Sequence, residues 1–395
     1  MEPIYITGAG VVSAIGIGKS ATLASLLAEQ TGIGPMTYLP SRHRDIPVGE
    51  VKLSNSEMMQ MLGVAEDPHL TRTALMGRLA LREALEEASL TGDVLSGVPF
   101  ISATTVGGMD RREQHHAQEK DCDADTARYF THNCADSTEM IAAPFGRFAS
   151  LSTVSTACSS ATNAIITGAN MLRCRLADIV VVGGSESLSL FHLNGFNTLM
   201  ILDRQQCRPF DRDRAGLNLG EGAAYLVMET AASVRQRGVK PLCTLSGYGN
   251  ACDAFHQTAS SPDGEGAYLA MTAALRSAGL APADIDYVNA HGTGTPNNDE
   301  SESVALRRVF ADSLPPVSST KSFTGHTTSA SGSIEAVICI LALLHDFLPV
   351  NLNWHTPMDG GIIPVTSSSV RQSVRHILSN AFGFGGNDSS LILSR

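Results

Sequence analysis

Pro3–Gly10 reads PIYITGAG, and Cys243–Gly249 returns to the same pattern as CTLSGYG. Each is a short apolar run closing on a Gly-x-Gly step, as a buried strand entering a tight turn requires. Each is followed, after an irregular stretch, by a segment with apolar residues at three- and four-residue spacing: TALMGRLALREALEEASL (Thr73–Leu90) and GAYLAMTAALRSAGL (Gly266–Leu280). That period predicts helices with one buried face. Both helices then pass an aspartate, Asp93 or Asp284, into a buried strand, VPFISATTVGG or IDYVNAHGTGT. A strand, a Ser/Thr-rich turn and a long apolar helix come next, in STVSTACSSATNAIITGANMLRC and VSSTKSFTGHTTSASGSIEAVICILALL. Each half closes with a glycine loop and a strand, GLNLGEGAAYLVME and FGFGGNDSSLILS.

The same elements in the same order point to a tandem duplication with a boundary near residues 235–242, giving halves 1–240 and 241–395. Strands alternating with helices predict mostly parallel sheets covered by helices. Two such halves predict an α/β fold layered α/β/α/β/α, with ligands at the strand ends between them.

Composition narrows the function. The 395 residues are 43% hydrophobic and 17% charged, which provides for a sizeable core and argues against disorder. A net charge of −11 without a basic block argues against nucleic-acid binding. The eight cysteines form no C-x-x-C pair and no zinc spacing. Ile4–Gly18 lacks a basic lead and is broken by glycines, so it reads as strand and turn rather than a signal peptide. No segment is expected to span a bilayer. A cytoplasmic, reduced setting is therefore expected.

Cys158 stands where STVSTA passes into the apolar helix Ser159–Cys174. At a helix N-terminus a cysteine feels the positive end of the dipole, which favours thiolate, and the turn can offer a backbone N–H to an oxyanion. Taken alone, a free cysteine is more often a small buried hydrophobe. The second half supplies partners: His291 opens HGTGT at a strand end, and His326 lies in TKSFTGH at the matching turn of the next unit. Either histidine alone reads as structural; with Lys321 and Glu335 they form a polar set in apolar surroundings, where buried charges need partners.

The motifs Thr-Ala-Cys-Ser-Ser, His-Gly-Thr-Gly-Thr and Lys-Ser-x-Thr-Gly-His, with Gly-Phe-Gly-Gly-Asn near the end, resemble the signature set of the elongating β-ketoacyl-acyl carrier protein synthases, from Ile6 to Leu393. The resemblance implies a thiolase-like, internally duplicated fold and a ping-pong decarboxylative condensation. It implies Cys158 as nucleophile, oxyanion donors at the N–H groups of Cys158 and Phe384, and His291 and His326 as the decarboxylating pair. Lys321 and Glu335 would position His326 and its loop, and Phe384 would be a gate swinging on Gly383, Gly385 and Gly386. Thr293 and Thr295 would hold the phosphopantetheine arm, with Phe210 nearby. Thr104, Thr105 and Val106 would border the acyl tunnel, and their small or polar side chains would admit a polyene or partly unsaturated chain as readily as an ordinary fatty acyl chain. Asp299 and His256 would organise loops.

The implied partners are an acyl carrier protein and either a second copy or a chain-length-factor subunit; no metal or redox cofactor is required. Two departures stand out: GFGGND replaces the more usual GFGGTN, and the basic cluster that relatives carry before the first long helix is missing. Arg208, Arg212 and Arg214 are the remaining candidates for carrier docking. A thiolase would need a second cysteine where Phe384 stands, and Cys-His-Asn relatives lack the residue matching His326. A non-catalytic carrier-binding member or chain-length factor would not need Cys158, and a papain-like hydrolase would not need the duplicated frame.

Overall fold

The computed structural model describes residues 2–67, 69–116, 133–367 and 373–395; Cys122 lies outside them, and the seven cysteines within them are free thiols. The strands, in chain order, are β1 (Ile4–Ser13), β2 (Gly16–Ile17), β3 (Pro99–Ala103), β4 (Ser150–Val154), β5 (Ile179–Glu186), β6 (Gly222–Thr230), β7 (Cys243–Cys252), β8 (Tyr287–Asn289), β9 (Val317–Ser318), β10 (His376–Gly383) and β11 (Asn387–Ser394). Their spatial order is β4-β3-β5-β6-β1-β7-β11-β10-β8-β9, with β2 paired to β1. Read from either edge the path is the same, so β4, β3, β5, β6 and β1 answer to β9, β8, β10, β11 and β7. At the centre of this path Ile4–Ile6 of β1 pair with Cys243–Leu245 of β7.

The expected mostly parallel sheet is in fact mixed: among the described residues four strand pairs are parallel and six antiparallel. For two of the antiparallel pairs, β1–β2 and β10–β11, the cause is connection length. β10 reaches β11 through only Phe384–Gly386, a hairpin that forces the antiparallel sense, whereas β3, β4 and β5 are joined by crossovers long enough for parallel pairing.

Helices Ser160–Arg173 and Ser331–His345 pack on each other and touch strands of both halves, forming the middle layer. The second is buried along nearly all its length, as a middle-layer helix must be. Thr328–His345 is long and apolar enough by composition to cross a membrane, but 89% of it is buried within the protein, as a core helix is. Outside lie helix Arg72–Glu87 on β1 and β6, and helix Glu265–Ala278 on β7 and β11.

The Gly-x-Gly steps explain how those outer helices seat. A Cβ at Gly8 would stand 2.2 Å from the carbonyl oxygen of Ala84, and one at Gly10 2.0 Å from that of Ala80. In the second half Gly247 and Gly249 meet the carbonyls of Ala274 and Ala270 at 2.4 and 2.1 Å. Only glycine permits so close a strand-to-helix approach, and both halves use it at matching positions.

Candidate active site

From β4 the chain enters a turn in which Ala157 takes φ +52°, a left-handed conformation costing about 1–2 kcal/mol outside glycine. Ser160 holds the turn: its Oγ accepts from Thr156 N at 2.8 Å and donates to Ala157 O at 2.6 Å. The strain lifts Cys158 to the mouth of helix Ser160–Arg173, whose cap is Ser159. Cys158 Sγ lies 3.0 Å from His326 Nε2. Burial pushes the thiol up to about 11, against the pull of the Lys321 charge and of the backbone N–H groups of Phe384 and Cys158. Desolvation outweighs the pull of the helix terminus and the nearby cation, so the thiol sits above its ordinary range.

His291 follows β8, and its loop hangs on one carboxylate. Glu302, from helix Pro296–Phe310, accepts from His291 N at 2.9 Å, Gly292 N at 2.8 Å and Asn380 Nδ2 at 3.1 Å; burial pushes this acid up to about 7. Lys321 Nζ sits between His291 Nδ1 at 3.2 Å and Glu335 Oε1 at 2.6 Å. An ammonium can only donate, so Nδ1 of His291 accepts. Burial and the Lys321 charge hold that ring well below the usual histidine range, so it is neutral and its proton sits on Nε2.

His326 is held differently from the expectation. Lys321 contacts His291 rather than His326; His326 Nδ1 pairs with Ser331 Oγ at 3.0 Å, and its backbone bridges to Asn218 and Gly220. The Lys321 charge still acts on it, second to burial, and keeps it neutral as well. The two imidazoles stand edge to face, 5.4 Å between centroids.

Cys158, His291 and His326 open on one cavity of about 310 Å³, together with Thr293, Thr295 and Phe384. Thr293 Oγ1 and Thr295 Oγ1 lie 2.8 Å apart in its wall. Phe384 stacks on Phe196 at 5.8 Å, above a turn in which Gly385 and Gly386 take φ +86° and +81°. Phe196, Thr258 and Asn298 also line the cavity. Sequence reading assigned them no such place. Among the described residues no three His, Cys, Asp or Glu side chains converge as a metal site.

Other expected site residues lie elsewhere. Phe210 is fully buried in the apolar cluster with Met271 and Val288, because Asp299 accepts from its N–H at 2.8 Å and ties that turn inward. Thr105 donates to Glu186 and neighbours His192 Nε2 at 3.3 Å; neither it nor half-buried Val106 lines the Cys158 cavity. Arg214 is buried against Asp299 and Glu300, so it offers nothing to a docking partner. Arg212 is exposed beside Asp213, and Arg208 is half-buried, bonded to Gln205. His256 is exposed and accepts from Thr258 N at 3.2 Å.

Residues 1–233 match the family model described as beta-ketoacyl synthase, N-terminal domain, and residues 242–355 the one described as beta-ketoacyl synthase, C-terminal domain. The chain is similar to 3-oxoacyl-[acyl-carrier-protein] synthase 2 of Vibrio cholerae serotype O1, 31% identical over 413 residues and 99% of each chain. It is 40% identical over 254 residues to the mitochondrial 3-oxoacyl-[acyl-carrier-protein] synthase of Arabidopsis thaliana, a match covering 60% of this chain and 55% of that one. Among solved structures, the ishigamide ketosynthase/chain length factor superposes with a TM-score of 0.92 at 30% identity, covering 100% of this chain and 99% of that one. With a cysteine and two histidines meeting in one cavity of a thiolase-like fold, and with family matches across both halves, the chain belongs to the β-ketoacyl synthase family.

Proposed function

We propose that the chain condenses an acyl group held on Cys158 with a malonyl group on acyl carrier protein, releasing carbon dioxide and a β-ketoacyl-carrier product. The observation that carries the assignment of residues is Cys158 Sγ 3.0 Å from His326 Nε2. In the first half-reaction the thiol attacks the acyl thioester, its proton passes through His326 Nε2 to the departing carrier thiol, and the oxyanion rests on the N–H groups of Cys158 and Phe384. In the second, His291 Nε2–H and His326 Nε2–H bond the malonyl thioester oxygen, His326 having shifted to the tautomer in which Ser331 Oγ–H donates to Nδ1. Loss of carbon dioxide then leaves an enolate stabilised by both rings. The enolate carbon attacks the acyl-Cys158 carbonyl, the C–S bond breaks, and the departing thiolate takes one proton from solvent by way of His326 Nε2. Two neutral imidazoles suit this step, since each donates a hydrogen bond without surrendering a full charge.

Thr293 and Thr295 are read as holding the phosphopantetheine arm, and exposed Arg212 with Arg208 as the remaining docking cations. Thr105 and Val106 are read as lying beyond the reacting atoms, along the acyl chain of a fatty, polyketide or polyene intermediate. Residues 1–240 and 241–395 are read as copies of one unit. Support comes from the mirrored strand path and from Ala157 and Thr328, both at positive φ three residues before their middle-layer helices begin. β4 is an outer strand whose Ser150–Ser152 are exposed, a template for pairing that fits a second copy or a chain-length-factor partner. With its cysteine present, this chain is read as the active subunit.

The test is intact-protein mass after incubation with a panel of acyl-acyl carrier proteins, wild type against Cys158→Ala. A wild-type-only gain of one acyl group supports the nucleophile and ranks the chains. No adduct with any chain, with or without candidate partner subunits, would leave a carrier-binding role in place of catalysis.

A further inference from the structure

The departure in the GFGGND motif places an asparagine, Asn387, directly after the turn that carries Phe384. Its side-chain oxygen is the hub of a polar network. Asn387 Oδ1 lies 2.8 Å from Ser159 Oγ and accepts from Asn163 Nδ2 at 2.7 Å and Asn250 Nδ2 at 3.0 Å. Asn163 also donates to Thr156 Oγ1 at 2.8 Å, and its own oxygen accepts from Asn250 and Ser389, each at 3.0 Å. The network therefore joins the turn before Cys158 (Thr156), the cap of the nucleophile helix (Ser159), that helix's first turn (Asn163), strand β7 (Asn250) and the Phe384 hairpin (Asn387).

The backbone is set for the same contact. A Cβ at Gly383 would stand 2.9 Å from Thr156 O and 3.1 Å from Ser159 Oγ, so the hairpin lies flush on the nucleophile turn. On the condensing reading the oxyanion donors come from two separate pieces of chain, one N–H at Cys158 and one at Phe384. Nothing covalent fixes their separation, and the side-chain bridge nearest to both is the one through Asn387. Resting on the condensing reading above, we infer that Asn387, gripped by Ser159, Asn163 and Asn250, is the positioning residue that sets the spacing of the two oxyanion donors. It touches no reacting atom; it acts through the Phe384 turn.

The experiment compares wild type with Asn387→Ala and with Asn163→Ala/Asn250→Ala, which removes the grip from the opposite side should the first variant fold poorly. Three quantities are measured on full-length protein: turnover and KM with an acyl carrier substrate that loads the wild type, alkylation of Cys158 by iodoacetamide, and Tm. Alkylation passes through no oxyanion, so it reports the thiol alone. The expected result is a kcat lower by about 10- to 100-fold, as misplaced donors give, with KM and the alkylation rate each within about 2-fold of wild type. Combining all three substitutions is expected to cost no more than Asn387→Ala alone, because the residues act as one unit. Turnover within 2-fold of wild type in both variants would overturn the inference while leaving the condensing reading intact. So would a fall in alkylation equal to the fall in turnover, which would mark a general collapse of the site. A wild type that never acylates would overturn the condensing reading first, and this inference with it.

Discussion

Replacing Lys321 by methionine tests how the site is held, and the structure sets the size of the effect. Lys321 and Glu335 have side chains 1% and 3% exposed, with Nζ 2.6 Å from Oε1. Breaking such a pair from one side leaves a buried carboxyl without its cation and costs about 3–5 kcal/mol, whereas replacing both partners with apolar residues is close to neutral. Unfolding entropy near 2.1 cal/mol/K per residue amounts to roughly 0.8 kcal/mol/K over 395 residues, so a loss of about 4 kcal/mol lowers Tm by about 5 °C.

The loss should depend on pH with a definite sign. Burial already raises Glu335, and Lys321 is what opposes it. Without Lys321 the folded-state carboxyl rises further above its unfolded value near 4.3. A raised acid contributes stability below its unfolded pKa and loses it as pH climbs toward the folded pKa, at up to about 1.4 kcal/mol per unit. Lys321→Met should therefore sit close to wild type in Tm at pH 5 and fall progressively behind by pH 8. Lys321→Met/Glu335→Leu should stay within about 2 °C of wild type at both. Both variants should lose condensation by about 10²-fold or more, since His291 Nδ1 no longer meets an obligatory donor and its tautomer is no longer fixed. Scanning calorimetry at fixed scan rate across pH 5–8 reads the first effect and product formation the second. A single-variant deficit that is flat with pH, or a double variant as unstable as the single, would refute the ion-pair reasoning.

Four further outcomes are expected. Cys158→Ala should abolish condensation with Tm changed by less than about 2 °C, while in the wild type alkylation of Cys158, followed by peptide mass, should rise about tenfold per pH unit from 7 to 9, because its thiol is pushed up to about 11; a rate already flat at pH 7 would mean a resting thiolate. His326→Ala should slow malonyl decarboxylation more than acylation of Cys158, compared by carbon dioxide release against adduct mass; decarboxylation at the wild-type rate would count against the assigned role. Asp388→Asn should stabilise, because burial and the nearby Asp253 and Glu302 carboxyls push Asp388 up to about 8; the gain should be absent near pH 4 and grow toward pH 8, and a gain independent of pH would contradict it. Arg212→Glu should raise KM for the carrier substrate several-fold without moving Tm, whereas Arg214→Ala should lower Tm, having left Asp299 buried beside an empty place; equal effects from the two would remove the distinction drawn from burial.

What the sequence disclosed and what it concealed follow from one physical difference. The Gly-x-Gly steps of β1 and β7, the helices Arg72–Glu87 and Glu265–Ala278, and the turns at Cys158 and His326 were legible, because each obeys a local rule of close approach, buried face or helix entry. β5 and β10 were not singled out: IVVVGGSE and HILSNAFG are buried almost throughout, so neither shows the period-two alternation that marks a half-exposed strand. Helix Pro296–Phe310 escaped for the opposite reason. Its inward face carries Asn298, Asp299, Ser301, Glu302 and Ser303, all buried, where an apolar stripe would have announced a helix. Two of those five explain the exception. Asp299 holds the N–H groups of Phe210 and Gly294, and Glu302 holds those of His291 and Gly292, so the loop that presents one catalytic histidine is fastened by carboxylates the core would otherwise reject. Burying two acids is costly, and burial does raise both; they persist because four backbone donors would be left unpaired without them. A hydrophobic pattern fails where polar groups are buried to hold chemistry in place, so in this chain the segment that defied the helix rule was itself the signpost to the site.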